Sequence, residues 1–567
     1  MTIMRGQKAL FEVLVSEGVE CLFGNPGSTE LGFYDELENY PQIKFYLGLH
    51  EAVVMGMADG YARATGKPAL VNVHIAPGLA NSMSMLFNAY SGGTPLVVTA
   101  GQQYTEMLMG EPILAADLVS MARPFTKWSV EVMHPEDVPM VMRKAFKVAA
   151  TPPFGPVFVS IPADTLVKEA DFDLDPANKI HFRTRPDNEA VVKATDLLSK
   201  ADRPVMVVGD GVAQSRAMSE AVKLAEVLGA RVYASPMRSE VNFPTTHPQY
   251  LGTLNLLDPE TISAALGNVD VLFAIGTSVF PVFMNNTPRY ISKDTQLIHL
   301  DSKSWEIGKI YPVELGIVAD PREGMKDLTT SINDNMQTGF KQKVEDRNKD
   351  IEKERKILKE AAEAIFKTGW DNVPITEGRI MSELRDCLPP ETILIDVAVT
   401  ASIALNTFID FPEEGTMFGL RGGSLGWGLP GALGIKIAQP DRPVVAVIGD
   451  GEAMFTIQAL WTAAHYNIPV TFVIIGNASY EIVKINMINY LNAIEKPVQK
   501  SKFMGMQLTD PTLDYAKLAN AFGIPGRRVE DPAELSDALK EAISIDGPSV
   551  VDILAESTTA RIARSMK

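Results

Sequence analysis

Two hydrophobic periods alternate along almost the whole chain. Short, continuously apolar runs are separated by stretches in which apolar residues recur every three or four positions. The runs read as strands buried on both faces, and the stretches between them as amphipathic helices. In the first third, a helix over 5–18 leads into ECLFG (20–24) and a turn, NPGST (25–29). An extended run follows at 43–49, then a helix from Glu51 to Ala64, a strand at 68–74, a helix at 79–90 and a strand at 94–101. PPFGPVFVSIP (152–162) adds one more strand, after which 171–187 loses periodicity and reads as a linker. The middle region opens with RPVMVVGDG (203–211) and continues with a helix at about 214–228 and strands at 231–235, 269–276 and 295–301. The last third repeats the pattern, with strands at 392–398, 443–451, 469–477 and 548–555 and a glycine-rich stretch at 421–434.

Apolar strands alternating with helices imply parallel sheets. The expected fold class is α/β, with three doubly wound parallel-sheet domains over 1–180, 188–335 and 365–567. Residues 341–360 are dominated by charge and read as a solvated helix linking the second domain to the third. Whether the first and third domains are duplicates is left open by a single sequence.

Composition narrows the function classes. Of 567 residues, 46% are hydrophobic and 22% charged, which fits a globular protein. The formal charge of −18 argues against coating nucleic acid, which needs local Lys and Arg, but not against a small anionic ligand. Cys21 and Cys387 are the only cysteines, too few for a disulfide framework, so the cytoplasm is the expected compartment. No apolar run approaches the ~20 residues that span a bilayer, so no membrane partner is expected. The N-terminus carries charges within its apolar pattern and reads as an amphipathic helix, not a signal peptide.

The strongest local motif is Gly449-Asp450-Gly451 at the end of an apolar strand, with Asn477 ending the next one 27 residues on. Two adjacent parallel strands would then present a carboxylate and an amide at their C-terminal ends, where open α/β sheets bind ligands. Asp, an Asn carbonyl oxygen and a nearby main-chain oxygen are hard donors that suit Mg²⁺ shared with phosphate oxygens. Gly451 permits close backbone approach, and a helix from about Ala453 can aim its N–H groups at a phosphate. Asp450 alone is equally well an ordinary strand-end residue; its pairing with Asn477 favours the metal reading. A second tripeptide, Gly209-Asp210-Gly211, has Met237 at the equivalent spacing and reads as a tight turn. The stretch Gly426-Trp427-Gly428-Leu429-Pro430-Gly431 fits G-x-G-x-x-G and offers a rival dinucleotide reading. Against it, no clear apolar strand enters Gly426, Pro430 sits inside the fingerprint and Asn477 is left without a role.

The N-terminal third supplies further candidates. The turn Phe23–Glu30 leaves Ser28 exposed at a strand end. Glu51 opens a helix whose buried stripe is Val53, Val54, Met57 and Ala58; alone it reads as a dipole-favoured surface residue. His74 ends a strand and alone reads as structural. All three fall at expected strand ends, which points to a site.

Taken in order, FGNPGS, HEAVVMGMADGYARATGKPA, TPLVVTAGQQ, GWGLPGALG and GDG with its later Asn resemble the thiamine diphosphate-dependent 2-oxo acid decarboxylase family. The resemblance runs essentially end to end and lies nearest the benzoylformate decarboxylase branch, which shares the NPGS loop and the strand-end His. Acetolactate synthases are similar over the Glu51 helix but carry Gly where Ser28 stands. The resemblance implies a pyrimidine-binding, a middle and a diphosphate-binding domain. It places thiamine diphosphate between the first domain of one subunit and the third of another, in a homo-oligomer that is a dimer at minimum and usually a tetramer. By the same resemblance, Asp450, Asn477 and the main-chain carbonyl of Ser479 hold Mg²⁺. Asn25, Pro26, Gly27, Thr400, Gly423, Ser424, Leu425, Gly451, Glu452, Ala453 and Tyr480 surround the cofactor, with Leu425 beneath its central bend. Glu51 bonds the aminopyrimidine, Ser28 holds the substrate carboxylate and His74 transfers a proton.

The implied activity is non-oxidative decarboxylation of a 2-oxo acid, with carboligation to an aldehyde as a second outcome. An acetolactate synthase-like transferase is the alternative, and the cofactor motifs do not separate the two. No motif for FAD is evident in the middle domain. Two departures matter. Phe283 stands where the benzoylformate enzymes carry a second active-site His. Ala478–Ile482 replaces a smaller, Gly-containing pattern, so that Ile482 would project into the substrate pocket. The first leaves water, Ser28 or His74 to move the proton and leaves room for carboligation; the second implies smaller or aliphatic 2-oxo acids.

Overall fold

A computed structural model describes residues 2–177, 180–256, 259–281, 289–336, 339–498 and 503–559. Two compact units emerge: Met1–Ile180 with Gly369–Leu405 and Leu420–Lys567, and His181–Thr368 with Asn406–Gly419.

The first unit contains two parallel sheets. Strands β1 (Cys21–Gly24), β2 (Lys44–Leu47), β3 (Ala69–Val73), β4 (Leu96–Gln102), β5 (Trp128–Glu131) and β6 (Val157–Pro162) lie in the order β2-β1-β3-β4-β6-β5, all parallel. Helices α1 (Gly6–Ser16), α2 (Glu51–Thr65) and α3 (Ile75–Gly92) belong to this half. The continuously apolar runs form the central strands, with β3, β4 and β6 wholly buried, as burial on both faces requires. The half-buried edge strand β5 escaped the pattern because it carries Trp128, Ser129 and Glu131 in place of an apolar run. Part of the segment read as a linker also pairs: Glu169–Phe172 runs antiparallel to Thr2–Arg5. Alternation of exposed and buried residues over only four positions was too short a signal to read as a strand.

The second unit carries strands β7 (Pro204–Val208), β8 (Arg231–Ala234), β9 (Tyr250–Thr253), β10 (Val271–Ile275), β11 (Gln296–Asp301) and β12 (Leu315–Val318) in the order β9-β8-β7-β10-β11-β12. Helix α4 (Phe340–Lys367) belongs to this unit. Although mostly charged, it buries Phe340, Arg347 and Ile351, and Arg347 Nη1 donates to the Leu228 carbonyl at 2.7 Å. It is therefore a packed helix with one solvated face. Asp210, in the second GDG, accepts the Ser239 N–H at 3.0 Å, as a structural turn residue does.

The second sheet of the first unit holds β13 (Ile393–Val397), β14 (Val444–Gly449), β15 (Val470–Gly476), β16 (Gly526–Val529) and β17 (Ser549–Leu554), in the order β13-β14-β15-β17-β16 and all parallel. This repeats the order β1-β3-β4-β6-β5 of the first sheet. Helices α5 (Gly428–Ala438) and α6 (Glu481–Ala493) belong here.

Helices α2 and α5, which precede equivalent strands β3 and β14, pack directly on each other. Glycines permit the approach. A Cβ at Gly60 would stand 2.2 Å from the Gly431 carbonyl oxygen, and one at Gly434 would stand 1.9 Å from that of Met57. Trp427 Nε1 donates to the buried Asp59 carboxylate at 2.7 Å across the same contact. Packing likewise explains the glycines of the G-x-G-x-x-G stretch without a dinucleotide: a Cβ would stand 2.8 Å from Phe455 Cβ at Gly426, 3.2 Å from the Ile448 side chain at Gly428 and 2.5 Å from the Trp427 ring at Gly431. No helix among the described residues is long and apolar enough to cross a membrane.

Candidate active site

The C-terminal strand ends of the first unit carry the candidate residues. Beyond β1, Asn25, Pro26 and Gly27 lead into a short 3-10 turn, Ser28–Glu30. Ser28 is exposed, Asn25 half-buried. Glu51 begins α2 but is only 7% exposed. Its carboxylate accepts Asn25 Nδ2 at 3.1 Å and Asn81 Nδ2 at 2.9 Å. The dipole-favoured surface reading therefore fails: Glu51 is turned inward between two amides, which leave lone pairs for one further donor.

His74 follows β3, its side chain 21% exposed. Its Nδ1 lies 2.8 Å from Glu30 Oε2 and 3.2 Å from Thr29 Oγ1. Glu30 is 1% exposed. Its Oε1 accepts the N–H groups of Ile75 at 3.2 Å and Gly101 at 2.8 Å, tying together the ends of β3 and β4. With Nδ1–H donating to this carboxylate, Nε2 is the nitrogen left for proton transfer. Gly27 lies flat on the ring, where a Cβ would stand 1.9 Å from Nδ1. Sequence reasoning missed Glu30 and Asn81. Glu30 sits in the same NPGSTE turn as Ser28, but nothing in the pattern marks it as buried.

At the second sheet, Asp450 follows β14 and is 5% exposed. Oδ1 accepts the Gly451 N–H at 2.7 Å and Oδ2 the Ala478 N–H at 2.6 Å, so one carboxylate joins the ends of β14 and β15. Asn477 Oδ1 accepts the Ser479 N–H at 3.1 Å. Burial pushes the Asp450 pKa up to about 6, with Asp552 adding to the rise and the N–H groups of Gly451, Ala478 and Ser479 opposing it. A carboxylate buried without a cation is costly, and a divalent ion here would offset that cost. Asp450, the Asn477 amide and a main-chain carbonyl are donors that could hold a hard cation shared with phosphate oxygens. Over Gly451 lies the Tyr480 ring, where a Cβ would stand 2.6 Å from Cε1.

The glycine-rich loop is held from α3. Asn88 accepts the Ser424 N–H at 2.9 Å and donates to the Ser424 carbonyl at 2.8 Å. Gly423 has φ +93° and open space at its Cβ position, and Leu425 is half-buried. Glu452 is 3% exposed and accepts the N–H groups of Gly426 at 2.6 Å and Gly428 at 2.9 Å. Its carboxylate thus fixes the start of α5, and burial pushes its pKa up to about 7. Ala453 and Thr400 are buried. Ile482 is half-buried in the first turn of α6. Phe283 lies outside the described residues.

Three of the non-glycine residues at positive φ lie at the same strand ends. Ile75, Val399 and Ala478 have φ of +35°, +52° and +51°. They adjoin His74, Thr400 and Asn477. β-branched residues are uncommon at positive φ, and strain of this kind collects at functional sites.

Family models of thiamine pyrophosphate enzymes match three stretches: the N-terminal TPP binding domain at 4–117, the central domain at 191–328 and the C-terminal TPP binding domain at 400–553. The chain is 31% identical over 554 residues to benzoylformate decarboxylase of Pseudomonas aeruginosa, covering 96% of this chain and 98% of the relative. It is 30% identical over 579 residues to a probable acetolactate synthase large subunit of Methanococcus aeolicus, covering 98% and 93%. Among solved structures, the thiamine diphosphate-dependent 4-hydroxybenzoylformate decarboxylase of Rhodococcus jostii RHA1 superposes with a TM-score of 0.84 at 28% identity, covering 98% of this chain and 99% of that one. With its three parallel-sheet α/β domains and these end-to-end matches, the chain belongs to the thiamine pyrophosphate enzymes.

Proposed function

We propose that the protein is a thiamine diphosphate- and Mg²⁺-dependent lyase that decarboxylates a 2-oxo acid without oxidation. The observation that carries this reading is the pairing of two unlike strand-end sites in one unit. One holds the buried Glu51 between two amides, beside the His74–Glu30 pair. The other holds Asp450, Asn477 and Ser479. The bound cofactor would supply the carbon nucleophile and the electron sink. Asp450, Asn477 and the Ser479 carbonyl would hold the cation against its diphosphate. Asn25, Pro26, Gly27, Thr400, Gly423, Ser424, Leu425, Gly451, Glu452, Ala453 and Tyr480 would shape its seat, Glu452 by bracing the loop from behind. Glu51 would hold a proton at the aminopyrimidine ring. Exposed Ser28 would bind the substrate carboxylate, and His74, its Nδ1 committed to Glu30, would move a proton through Nε2. Ile482 would narrow the pocket towards smaller or aliphatic 2-oxo acids, and Phe283, which cannot transfer a proton where the benzoylformate enzymes carry a second His, would leave room for carboligation as a secondary outcome. The enzyme would work as a cytoplasmic homodimer or homotetramer.

A second reading, an acetolactate synthase-like transferase, is favoured by relatives of that name at nearly equal identity. Product analysis with pyruvate, thiamine diphosphate and Mg²⁺ separates them: acetaldehyde supports the lyase and acetolactate the transferase. A clear preference for benzoylformate over pyruvate and branched 2-oxo acids would refute the assignment of a small substrate.

A further inference from the structure

The departure after Asn477 contains a residue that the proposed chemistry leaves unused. Glu481 opens α6, next to Ile482 and directly after Ser479 and Tyr480. A carboxylate in a first helical turn ordinarily faces solvent near the helix's own N–H groups. Glu481 is instead 2% exposed and turned towards the chain beyond β17. Its Oε2 accepts the Thr559 N–H at 3.0 Å, and its Oε1 accepts Ser557 Oγ at 2.9 Å and Lys484 Nζ at 3.2 Å. Lys484 is buried with it, the two side chains being 9% and 1% exposed. Burial would push the Glu481 carboxyl up, but the donors from Thr559, Ser557 and Lys484 outweigh it and hold the group below its ordinary range. The far side of the same segment is anchored too, since Thr558 Oγ1 donates to the buried Glu377 at 2.7 Å.

The first turn of α6 is therefore fixed from two directions. Upstream, Tyr480 N–H bonds the Met506 carbonyl at 3.0 Å, and Leu508 N–H bonds that of Ala478 at 2.8 Å. Downstream, Glu481 fastens it to Ser557 and Thr559. A shift of Ile482 would have to break hydrogen bonds to a buried carboxylate, which are stronger than neutral ones. A small residue at 481 would leave that turn unfastened.

We propose that Glu481 is a positioning residue for substrate choice: by tying α6 to Ser557–Thr559 it holds Ile482 in place and sets the width of the substrate pocket. This rests on the lyase reading above. The test compares wild type with Glu481→Ala, Glu481→Gln, Thr559→Pro, Ile482→Ala and Glu481→Ala/Ile482→Ala. Three quantities are read: the ratio of kcat/KM for pyruvate to that for benzoylformate, the affinity for Mg²⁺–thiamine diphosphate, and hydrogen exchange over 480–493 in the cofactor-free protein. Expected results are a ratio at least tenfold lower in Glu481→Ala and Thr559→Pro, with cofactor affinity within threefold. Glu481→Gln, which still accepts from Thr559 and Ser557, should stay within threefold of wild type. The double variant should match Ile482→Ala alone, since the two residues act through one position. Exchange over 480–493 should quicken in Glu481→Ala and Thr559→Pro. An unchanged ratio in both, or full additivity with Ile482→Ala, would overturn the proposal, as would unchanged exchange over 480–493. Failure of the lyase reading is separate: wild type would then give acetolactate in place of acetaldehyde from pyruvate, or turn over no 2-oxo acid, and the exchange measurement would still decide whether Glu481 fixes the turn.

Discussion

Protonation of Asp450 should compete with the divalent cation. The carboxylate is 5% exposed, and its pKa stands at about 6 against an ordinary 3.8. The difference of about two pKa units corresponds to about 3 kcal/mol for ionising the group in the cation-free fold. Because the folded pKa is raised, the folded state holds the proton to higher pH than the unfolded chain. That contribution to stability is present below pH 3.8 and disappears as pH rises through 6. A bound cation reverses the balance by displacing the proton. Its apparent affinity should therefore be full above pH 7 and about tenfold weaker at pH 5, one unit below the pKa.

The assay is isothermal titration of the protein with Mg²⁺ and thiamine diphosphate from pH 5 to 7.5, corrected for the ligand's own protonation. Asp450→Asn serves as the control. It retains an acceptor oxygen but has no proton to displace, so its weak residual binding should not vary across this range. Equal affinity of the wild type at pH 5 and 7.5 would refute the argument, because it would mean that the buried carboxylate is ionised before the cation arrives.

Other outcomes follow from the geometry. Gly434→Ala drives a methyl to 1.9 Å from the Met57 carbonyl oxygen, so chemical denaturation should show a loss of about 3 kcal/mol or more; a loss under 0.5 would mean that α2 and α5 part freely. Gly27→Ala places its Cβ on the His74 ring and should lower kcat at saturating cofactor; normal turnover would detach His74 from the reaction. Glu51→Gln should abolish turnover while thermal unfolding stays within about 2 °C of wild type, and retained activity would remove Glu51 from its assigned role. Val399→Gly relieves a β-branched residue at φ +52° and should stabilise the cofactor-free protein in chemical denaturation by about 0.5 kcal/mol net of glycine's extra freedom in the unfolded chain; a loss of stability would mean that the position is unstrained.

What was legible in the sequence depended on how the residues are buried. Strands such as β3, β4 and β14 announce themselves because burial on both faces leaves only apolar residues, and strand-end polar residues then stand out against them. Asp450, Asn477 and His74 were found this way. Edge strands such as β5 and β16 carry mixed residues and were missed. Buried carboxylates that face inward from a turn or a helix were missed for a different reason. Glu30 and Asp59 have the same local sequence look as surface acids, and only the partners brought by distant segments, His74 and Trp427, reveal their burial. The first two glycines of the G-x-G-x-x-G stretch misdirect for the same reason, since what crowds them comes from elsewhere in the chain: Phe455 and Thr456 at Gly426, Ile448 and Val397 at Gly428.

The order β1-β3-β4-β6-β5 recurring as β13-β14-β15-β17-β16 shows that the first and third domains share a topology. On the proposed reading, equivalent positions take different tasks: His74 follows β3 and Asp450 follows its counterpart β14, so the same strand end would carry a proton-transfer group in one sheet and a cation-binding carboxylate in the other. Glu51 begins α2, whereas its counterpart α5 begins at the glycine-rich loop braced by Glu452. The two helices then pack on each other through Gly60, Gly431 and Gly434, with backbone meeting backbone. Such a contact leaves little room for relative sliding, because each glycine fills a gap that no other residue fits. The helix that begins with Glu51 is thereby fixed to the helix that begins at the glycine-rich loop. On the proposed reading, with thiamine diphosphate between the first domain of one subunit and the third of another, the two sites of one chain would serve different cofactors, and that shared rigidity would hold each at a set position within the unit.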